Sequence, residues 1–501
     1  SSVDGTPIAA LDLAGQFAIA PRSNQHITNG ARNGRVVTKL GEIHVPSSGA
    51  AVVGGVSRAM SLASTGDIVR LDAGSYSDNI TITDRVTLIG AGSAIDATVV
   101  TAAVAGTSVV TVTGSGSVDG RLIVKDMRLI GSTASGILVA NTTAVTKLTF
   151  DNINASANTD GISYGATNAI SDAIISNSTL SSNANNGIRI ASTVSSFDGL
   201  TVSGCTIASN NWQGFSFNAS GANIVATNFA FTNTTFTNNC ASNANSAGNH
   251  DLSFFGFKGN ASLTNVAVTS NHAANGYGIV FTGQGLESNG GFAPAGIIAL
   301  DNVSVSGRVA KGALSFQCYS DVSGVSLNNV SLQNCIAPWG DLVVQSTDTD
   351  ALAAGNTALK SIVVWATGGV DAISARFHRL SGSQLDRAVL ADNFIIADQI
   401  GDAIDASGIG LVRFAADKLY VTTATPAGAL GRAIAASRTG DTIVLQSGVA
   451  VVLGAVITND ILFSGDFTIN AASFPTDASA NAVLGSFLAR AAAGATFAAV
   501  T

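Results

Sequence analysis

The chain has 501 residues, with 24 Lys and Arg against 32 Asp and Glu, and its net charge is −8. Only 11% of the residues are charged whereas 46% are hydrophobic, so much of the surface must be uncharged Ser, Thr and Asn. This apolar content excludes disorder, and an acidic chain without a basic stripe argues against nucleic-acid binding. No apolar run is long enough for a membrane-spanning helix.

The first elements are predicted near the N-terminus. Residues 1–40 carry no periodic pattern and are expected to form an N-terminal extension. The stretch 54–92 predicts a short amphipathic helix, a tight turn, a buried strand and a second turn. These pieces are marked by Ala59, Leu62, Gly66, Asp67, Leu71, Gly74, Tyr76, Ile80, Ile82, Leu88 and Gly90.

From residue 122 to 332 one spacing recurs: apolar, any, apolar, any, any, apolar, any, apolar. The alternation predicts strands with one face turned inward, and the two-residue interruption predicts a bend. The eight copies begin at Leu122, Leu148, Ala173, Leu200, Phe229, Ala261, Ile298 and Val325.

A second element keeps the same period. A small or polar residue, here called the anchor, is followed one and three positions later by apolar residues. Units of about 25 residues with three short strands each indicate a parallel β-helix, which we place at 41–345. The Leu-x-x-Leu-x-Leu signature of leucine-rich repeats is absent. The anchors are Gly136, Gly161, Gly187, Gly214, Asp251, Gly278, Ala313 and Asp341.

An asparagine follows the last apolar position in five of these units. Asparagine tolerates left-handed backbone, and its amide can stack between successive coils. We therefore predict an asparagine ladder, and uncharged outward ladders would avoid the repulsion between like charges stacked on one another. The five residues are Asn158, Asn183, Asn210, Asn239 and Asn271.

The stretch 54–92 together with the repeats resembles the pectin-lyase-like family of right-handed parallel β-helices, over roughly residues 40 to 345. The resemblance implies an all-β, right-handed parallel β-helix with three strands per coil. It also implies that the short helix caps the first coil. This resemblance concerns the fold and not the activity.

A second opening module is predicted near the C-terminus. Residues 430–441 (LGRAIAASRTGD) match residues 56–67 (VSRAMSLASTGD) at an offset of 374. We expect a short second β-helix-like module at 417–501, and residues 346–416, where the period is lost, as a linker or small subdomain. The second module could cap the first solenoid, stack against another subunit, or be a simple tandem duplication.

Asp160 is the first catalytic candidate, and a weak one. Asn158-Thr159-Asp160 is similar to the first motif of inverting polygalacturonases, but Asn185 and Asn186 stand where that family has its carboxylate pair. Its Gly-His-Gly motif is missing, as are the calcium-binding Asp cluster and Arg–Pro pair of pectate lyases. Because inversion needs two carboxylates, a coil turn with a stacking asparagine is the alternative interpretation.

His250 and Asp251 are the second weak catalytic candidate, as a base and the group that orients it. The alternative is a solvated loop histidine. Further basic residues that we considered beside them are Lys258 and His272.

Two tryptophans and three cysteines complete the set of candidates. Trp212 and Trp339 precede anchors and could stack on sugar rings or fill a protein interface. Cys205 takes an inward strand position, and a disulfide between Cys318 and Cys335 is possible although coil geometry does not require it. Phosphate loops, zinc spacings and calcium repeats are absent, so we predict no cofactor and no metal.

Two classes of function fit these observations. We expect a non-catalytic, extracellular structural or adhesive protein on a cell or virion surface, self-associating through β-helix ends or the 417–501 module. Polysaccharide is a possible ligand, whereas nucleic acid and membrane spans are not expected. The alternative is a polysaccharide-active β-helix enzyme, a lyase or glycoside hydrolase, which includes phage tailspikes.

Overall fold

In the computed structural model, the protein consists mainly of short parallel strands. The chain divides into two compact units, Ser1–Gly276 and Tyr277–Thr501. The structure describes residues 2–3, 6–19, 39–94, 97–117, 120–141, 143–165, 169–218, 225–240, 250–257, 259–269, 276–282, 297–307, 312–317, 325–328, 330–332, 342–345, 362–364, 370–372, 377, 385–407, 410–452, 455–465, 482 and 497–498.

The first unit contains two described α-helices, α1 (Leu13–Ile19) and α2 (Gly55–Leu62), and 3-10 turns at Ile8–Ala10 and Gly49–Val52. Its first two strands, Ser2–Val3 and Thr6–Pro7, form an antiparallel pair. The other strands are Glu42–Val45, Ile68–Leu71, Gly74–Ser77, Ile80–Ile82, Thr87–Ile89, Thr98–Thr101, Val110–Val112, Leu122–Ile130, Ser135–Val139, Val145–Ser156, Asp160–Tyr164, Ile170–Ser176, Thr179–Ser181, Ile188–Ile190, Ser196–Ser203, Thr206–Ala208, Phe215–Asn218, Val225–Thr232, Thr235–Thr237, Leu252–Phe255, Ala261–Thr264 and Ala267–Thr269.

Both predicted repeats stack in register, strand upon parallel strand. One inward row passes through Leu122, Leu148, Ala173, Leu200, Phe229 and Ala261. A second inward row passes through Ile137, Ile162, Ile188, Phe215 and Leu252. Every one of these side chains is buried. The predicted fold class, a parallel β-helix, is therefore confirmed.

Aromatic side chains fill the middle coils of this unit. The ring centroid of Phe215 lies 4.9 Å from that of Phe231 and 5.0 Å from that of Phe254. Phe229 lies 5.3 Å from Phe197, edge to face. Each buried phenylalanine contributes about 1.5–3 kcal/mol through area burial, and edge-to-face pairs add to this. Aromatic rings of successive coils thus contact one another in the core of this unit.

Five of the anchors are glycines, and at these positions the next coil leaves no room for a Cβ atom. A Cβ on Gly161 would lie 2.6 Å from the carbonyl oxygen of Gly187, and a Cβ on Gly187 would lie 2.7 Å from that of Gly214. Real Cβ atoms do not approach so closely. Glycine therefore recurs at these positions because successive coils approach each other closely there.

The asparagine ladder forms, but its backbone differs from our expectation. The backbone N–H groups of Asn158, Asn183 and Asn210 donate to Oδ1 of the next ladder residue, ending at Asn239, at 3.0, 3.1 and 3.3 Å. All four are buried, which requires their amides to be paired. The expectation that they take left-handed backbone was wrong. The preceding residues do so, namely Ala157, Ser182, Ser209 and Asn238, as do the bend residues Asn152, Asn177, Asn233 and Asn265.

The second unit contains two described α-helices, α3 (Leu390–Asp398) and α4 (Ala429–Ala436). Its strands are Tyr277–Thr282, Ile298–Asp301, Ser304–Ser306, Gly312–Gln317, Val325–Asn328, Ser331–Leu332, Leu342–Gln345, Ile362–Val364, Val370–Asp371, Ile400–Gly401, Val412–Arg413, Lys418–Val421, Thr442–Leu445, Leu462–Gly465 and Phe497–Ala498.

In the described parts of residues 346–416, expected as a linker or small subdomain, four strands continue the stacking. Leu342 pairs with Ile362, and Ile362 in turn pairs with Ile400. Val370 pairs with Val412. These strands have only two or three residues, too few to produce the alternation from which longer strands are recognised. The repeat pattern therefore disappears from the sequence before the strand pairing ends.

The C-terminal opening module repeats the local geometry of the first. In each, a short helix follows an edge strand and leads to a turn and a buried strand, and Lys418–Val421 starts a new parallel sheet. Gly54 and Gly428 are the equivalent helix N-caps, with left-handed φ of 66° and 82°. Arg58 and Arg432 donate to the carbonyls of Val53 and Ala427. Asp67 and Asp441 accept hydrogen bonds from the backbone N–H groups of Ser64 and Arg438.

Candidate functional site

The residues immediately before the anchors form one row, here called the anchor corner. It contains Ser135, Asp160, Asn186, Gln213 and His250. Ser135 pairs directly with Asp160, and the registers of the following strands align the others. Successive parallel strands lie about 4.8 Å apart. Asp160 and His250 are three steps apart, which places them about 14 Å from one another along the axis.

Asp160 begins the strand Asp160–Tyr164 and is buried. Its Oδ1 accepts two hydrogen bonds from Asn186 in the next coil, one from the backbone N–H at 3.1 Å and one from Nδ2 at 2.9 Å. On the other side, Nη1 of Arg189 lies 3.8 Å from Oδ2. Asn186 and Arg189 therefore surround the carboxyl group.

Burial raises the pKa of Asp160 above the usual value for aspartate. The two Asn186 hydrogen bonds and the Arg189 charge oppose this shift without cancelling it. The group is thus easier to protonate than an exposed carboxyl. A raised pKa in a carboxyl group is typical of general acids, but also of buried structural carboxylates.

Two exposed side chains lie on the two coils after Asp160, Arg189 on the first and Trp212 on the second. The side chain of Arg189 is 48% exposed, and Trp212 is 40% exposed. The Trp212 backbone N–H donates to the Asn185 carbonyl at 2.9 Å, which places the tryptophan one coil beyond Asn185. A guanidinium and an indole so placed can contact a sugar ring or another protein.

His250 and Asp251 stand at the far end of the anchor corner. Asp251 is fully buried, and its carbonyl accepts the N–H of Phe215 at 2.9 Å. His250 is half-buried. The carboxyl groups of an inverting glycosidase are about 6.5–9.5 Å apart and those of a retaining one about 5–5.5 Å. A separation of three coils from Asp160 exceeds both.

The remaining candidates divide by position. Cys205 is buried as predicted, and burial raises the pKa of its thiol to about 11. Within the described ranges, no three His, Cys, Asp or Glu residues come together in a way that could hold a metal ion. No helix in the described part is long and apolar enough to cross a membrane. Candidates outside the described residues are Lys258, Asn271, His272, Cys318, Cys335, Trp339 and Asp341.

Sequence reasoning missed the role of Asn186 and Arg189 as partners of Asp160. The motif comparison treated Asn186 only as a missing carboxylate and gave Arg189 no role. For Asn186 the available signal was the repeat itself, because the residue one coil later in the same row contacts its predecessor. Arg189 is level with Ser163 and not with Asp160, so the row does not identify it.

No protein-family model matches the sequence, and no curated protein does. Among solved structures, a similar one is the crystal structure of pectate lyase Pel9A, with 15% sequence identity and a TM-score of 0.35, covering 56% of this chain and 74% of that chain. The stacked parallel strands of the protein itself make it a parallel β-helix, to which the pectate lyase is similar. This likeness concerns the fold alone.

Proposed function

We propose that the protein is a non-catalytic structural or adhesive β-helix that acts outside the cell. The observation that carries this proposal is the pairing of Asp160 with Asn186. One oxygen of the carboxyl group is occupied by two hydrogen bonds within the protein. Its neighbours in the row are Ser135 and Asn186, neither of which is an acid. A glycosidase would need a second carboxyl group there.

Incubation with uronic-acid polymers tests this part of the proposal. We expect no new reducing ends and no absorbance from unsaturated products, with or without added calcium. Polymer cleavage that Asp160→Asn abolishes and Asp84→Asn, an exposed carboxylate variant, retains would overturn the non-catalytic assignment.

We further propose self-association through the 417–501 module. Val452 and Val456 lie beyond its second strand, four residues apart, and are 43% and 44% exposed. Exposed apolar side chains that form a contiguous patch mark a contact surface. Light scattering of the full chain should give a mass that rises with concentration.

Substitutions at exposed valines provide both the test of this contact surface and its control. Val452→Asp with Val456→Asp should lower the mass towards one chain, while Val104→Asp, also at an exposed valine in the first unit, should leave it unchanged. A single-chain mass at all concentrations would refute self-association and leave the assignment as a non-catalytic protein untouched.

A polysaccharide-active enzyme is the second candidate. It is favoured by one arrangement, the easily protonated Asp160 with the exposed Arg189 one coil away and the exposed Trp212 two coils away. Binding of an acidic polysaccharide without cleavage, weakened by Arg189→Ala and Trp212→Ala, would support an adhesive role for the same corner. Cleavage would support the enzyme.

A further inference from the structure

Helices α1 and α3 are two copies of one element, although they lie 377 residues apart. The sequence LAGQFAIA at 13–20 and LADNFIIA at 390–397 agree at five of eight positions. In each, a buried amide ties the helix to the segment before it. Gln16 donates to the Ile8 carbonyl at 2.9 Å, and Asn393 donates to the Arg387 carbonyl at 2.9 Å.

Each helix packs on the first strand of an opening module through one aromatic contact. Phe17 meets the His44 ring edge to face, with centroids 5.4 Å apart and planes at 89°. Phe394 meets Tyr420 in the same way, at 5.8 Å and 88°. We call the contact of α1 with its strand the first joint and the contact of α3 with its strand the second joint. The second joint therefore contains Tyr420 where the first contains His44.

The surroundings of His44 are charged. On its own strand, Oε2 of Glu42 lies 3.4 Å from His44 Nε2, and Arg70, directly opposite on the next strand, donates to Glu42 at 2.8 Å. Lys39 binds the other oxygen of Glu42 at 2.6 Å. The His44 side chain is only 2% exposed, beneath Phe17.

The other elements that the structure describes against this strand bring no acid to the imidazole. The only titratable residue in 6–19 is Asp12, whose carboxylate accepts the Gly15 N–H at the start of α1. On α2, Arg58 donates to the Val53 carbonyl at 3.2 Å. In the second joint, the positions of His44 and Arg70 are taken by the paired residues Tyr420 and Val444.

We infer that the α1–His44 contact is an acid-sensitive latch, which holds α1 on the first coil at neutral pH and releases it when His44 is protonated. When α1 covers His44, burial lowers the pKa of the imidazole. The Arg70 and Lys39 charges lower this pKa further, and the Glu42 charge opposes the shift without cancelling it. An uncovered imidazole loses the burial effect and binds a proton more readily. The docked state is therefore favoured above the ordinary histidine pKa of about 6.5, and acid favours release.

Hydrogen exchange followed by mass spectrometry tests the latch on the full chain. Amides of α1 should lose protection between pH 7.5 and pH 5.0, after correction for intrinsic exchange rates, by at most about thirtyfold, the limit for an imidazole with a pKa of 6.5 that titrates only when uncovered. Amides of α3 serve as the internal control and should not change.

Two variants make the assignment specific. His44→Tyr copies the second joint and should keep α1 protected at both pH values, and His44→Gln should likewise remove the pH dependence, even if protection is lower overall. An equal pH response of α1 and α3 in the unmodified protein, or a response that persists in both variants, would overturn the inference.

Discussion

Arg413 and Asp441 form a bidentate ion pair inside the second unit. Nη1 and Nη2 of the guanidinium lie 3.1 Å and 2.8 Å from Oδ1 and Oδ2 of the carboxylate. Both side chains are buried, and Asp441 also accepts the backbone N–H of Arg438 at 2.7 Å. Burial by itself raises the pKa of Asp441, but the Arg413 and Arg438 interactions together hold it below the usual value. The pair fastens the strand Val412–Arg413 to the turn after α4.

Removing the guanidinium should destabilise the second unit. Arg413→Ala leaves the Asp441 charge buried without its ion-pair partner, and such losses cost about 3–5 kcal/mol. Thermal unfolding followed by calorimetry should show a lower transition temperature for this unit. Lys125→Ala, which removes a more exposed pair with Asp126, provides the control and should cost less than about 1 kcal/mol. Equal effects of the two variants would contradict the role assigned to burial.

Much of the first unit could be predicted from the sequence, since the inward residues of a stacked coil must alternate and recur. The ladder from Asn158 to Asn239 followed from the same repeat. The continuation through Ile362–Val364 and Val412–Arg413 could not, because two or three residues hold no periodic signal.

The candidate site was predictable only in part. Asp160 could be found by its motif, but its partners Asn186 and Arg189 follow from register across coils, which a motif does not encode. Similarly, the aromatic contact that pairs Phe17 with His44 depends on how α1 folds back on the strand.

The close contact between anchors predicts that substitution of Gly187 by any residue with a Cβ atom destabilises the fold. A Cβ there would lie 2.5 Å from Cγ2 of Ile207 and 2.7 Å from the Gly214 carbonyl oxygen. Because backbone must move, Gly187→Ala should cost about 3 kcal/mol in the free energy of unfolding by urea. At Gly165 the nearest atom lies at 3.4 Å, an ordinary contact, so Gly165→Ala is the matched control. If both alanines are tolerated alike, coil spacing is not what selects glycine.

The asparagine ladder should contribute measurably to the stability of the first unit. Asn210 accepts from the backbone N–H and Nδ2 of Asn183 at 3.1 and 2.8 Å, and its own Nδ2 donates to Leu180 and Asn239. Asn210→Ala leaves these buried groups without partners, at a cost of about 3 kcal/mol. Urea unfolding measures the loss. Half-buried Asn185, replaced by alanine in parallel, should change stability by no more than about 0.5 kcal/mol. A comparable loss at both positions would show that the ladder adds nothing specific.

Neutralising Asp160 should stabilise the protein in a pH-dependent way. The pKa of Asp160 is raised in the folded state, so the folded protein binds the proton more tightly than the unfolded chain does. Ionisation therefore costs stability as the pH rises above the ordinary aspartate value of about 3.9, and the full cost is reached above the folded pKa. Asp160→Asn keeps an oxygen that can accept both Asn186 hydrogen bonds and carries no charge. At pH 7 the variant should be more stable than the unmodified protein, and the gain should shrink as the pH falls towards 3.5.

Urea midpoints between pH 3.5 and pH 7.5 provide that measurement. Exposed Asp84, changed to asparagine, is the control and should shift the midpoint little at any pH. A loss of stability in Asp160→Asn at pH 7 would mean that Arg189 and Asn186 stabilise the anion more than burial penalises it. The easily protonated carboxyl group that favours the polysaccharide-active alternative would then be absent.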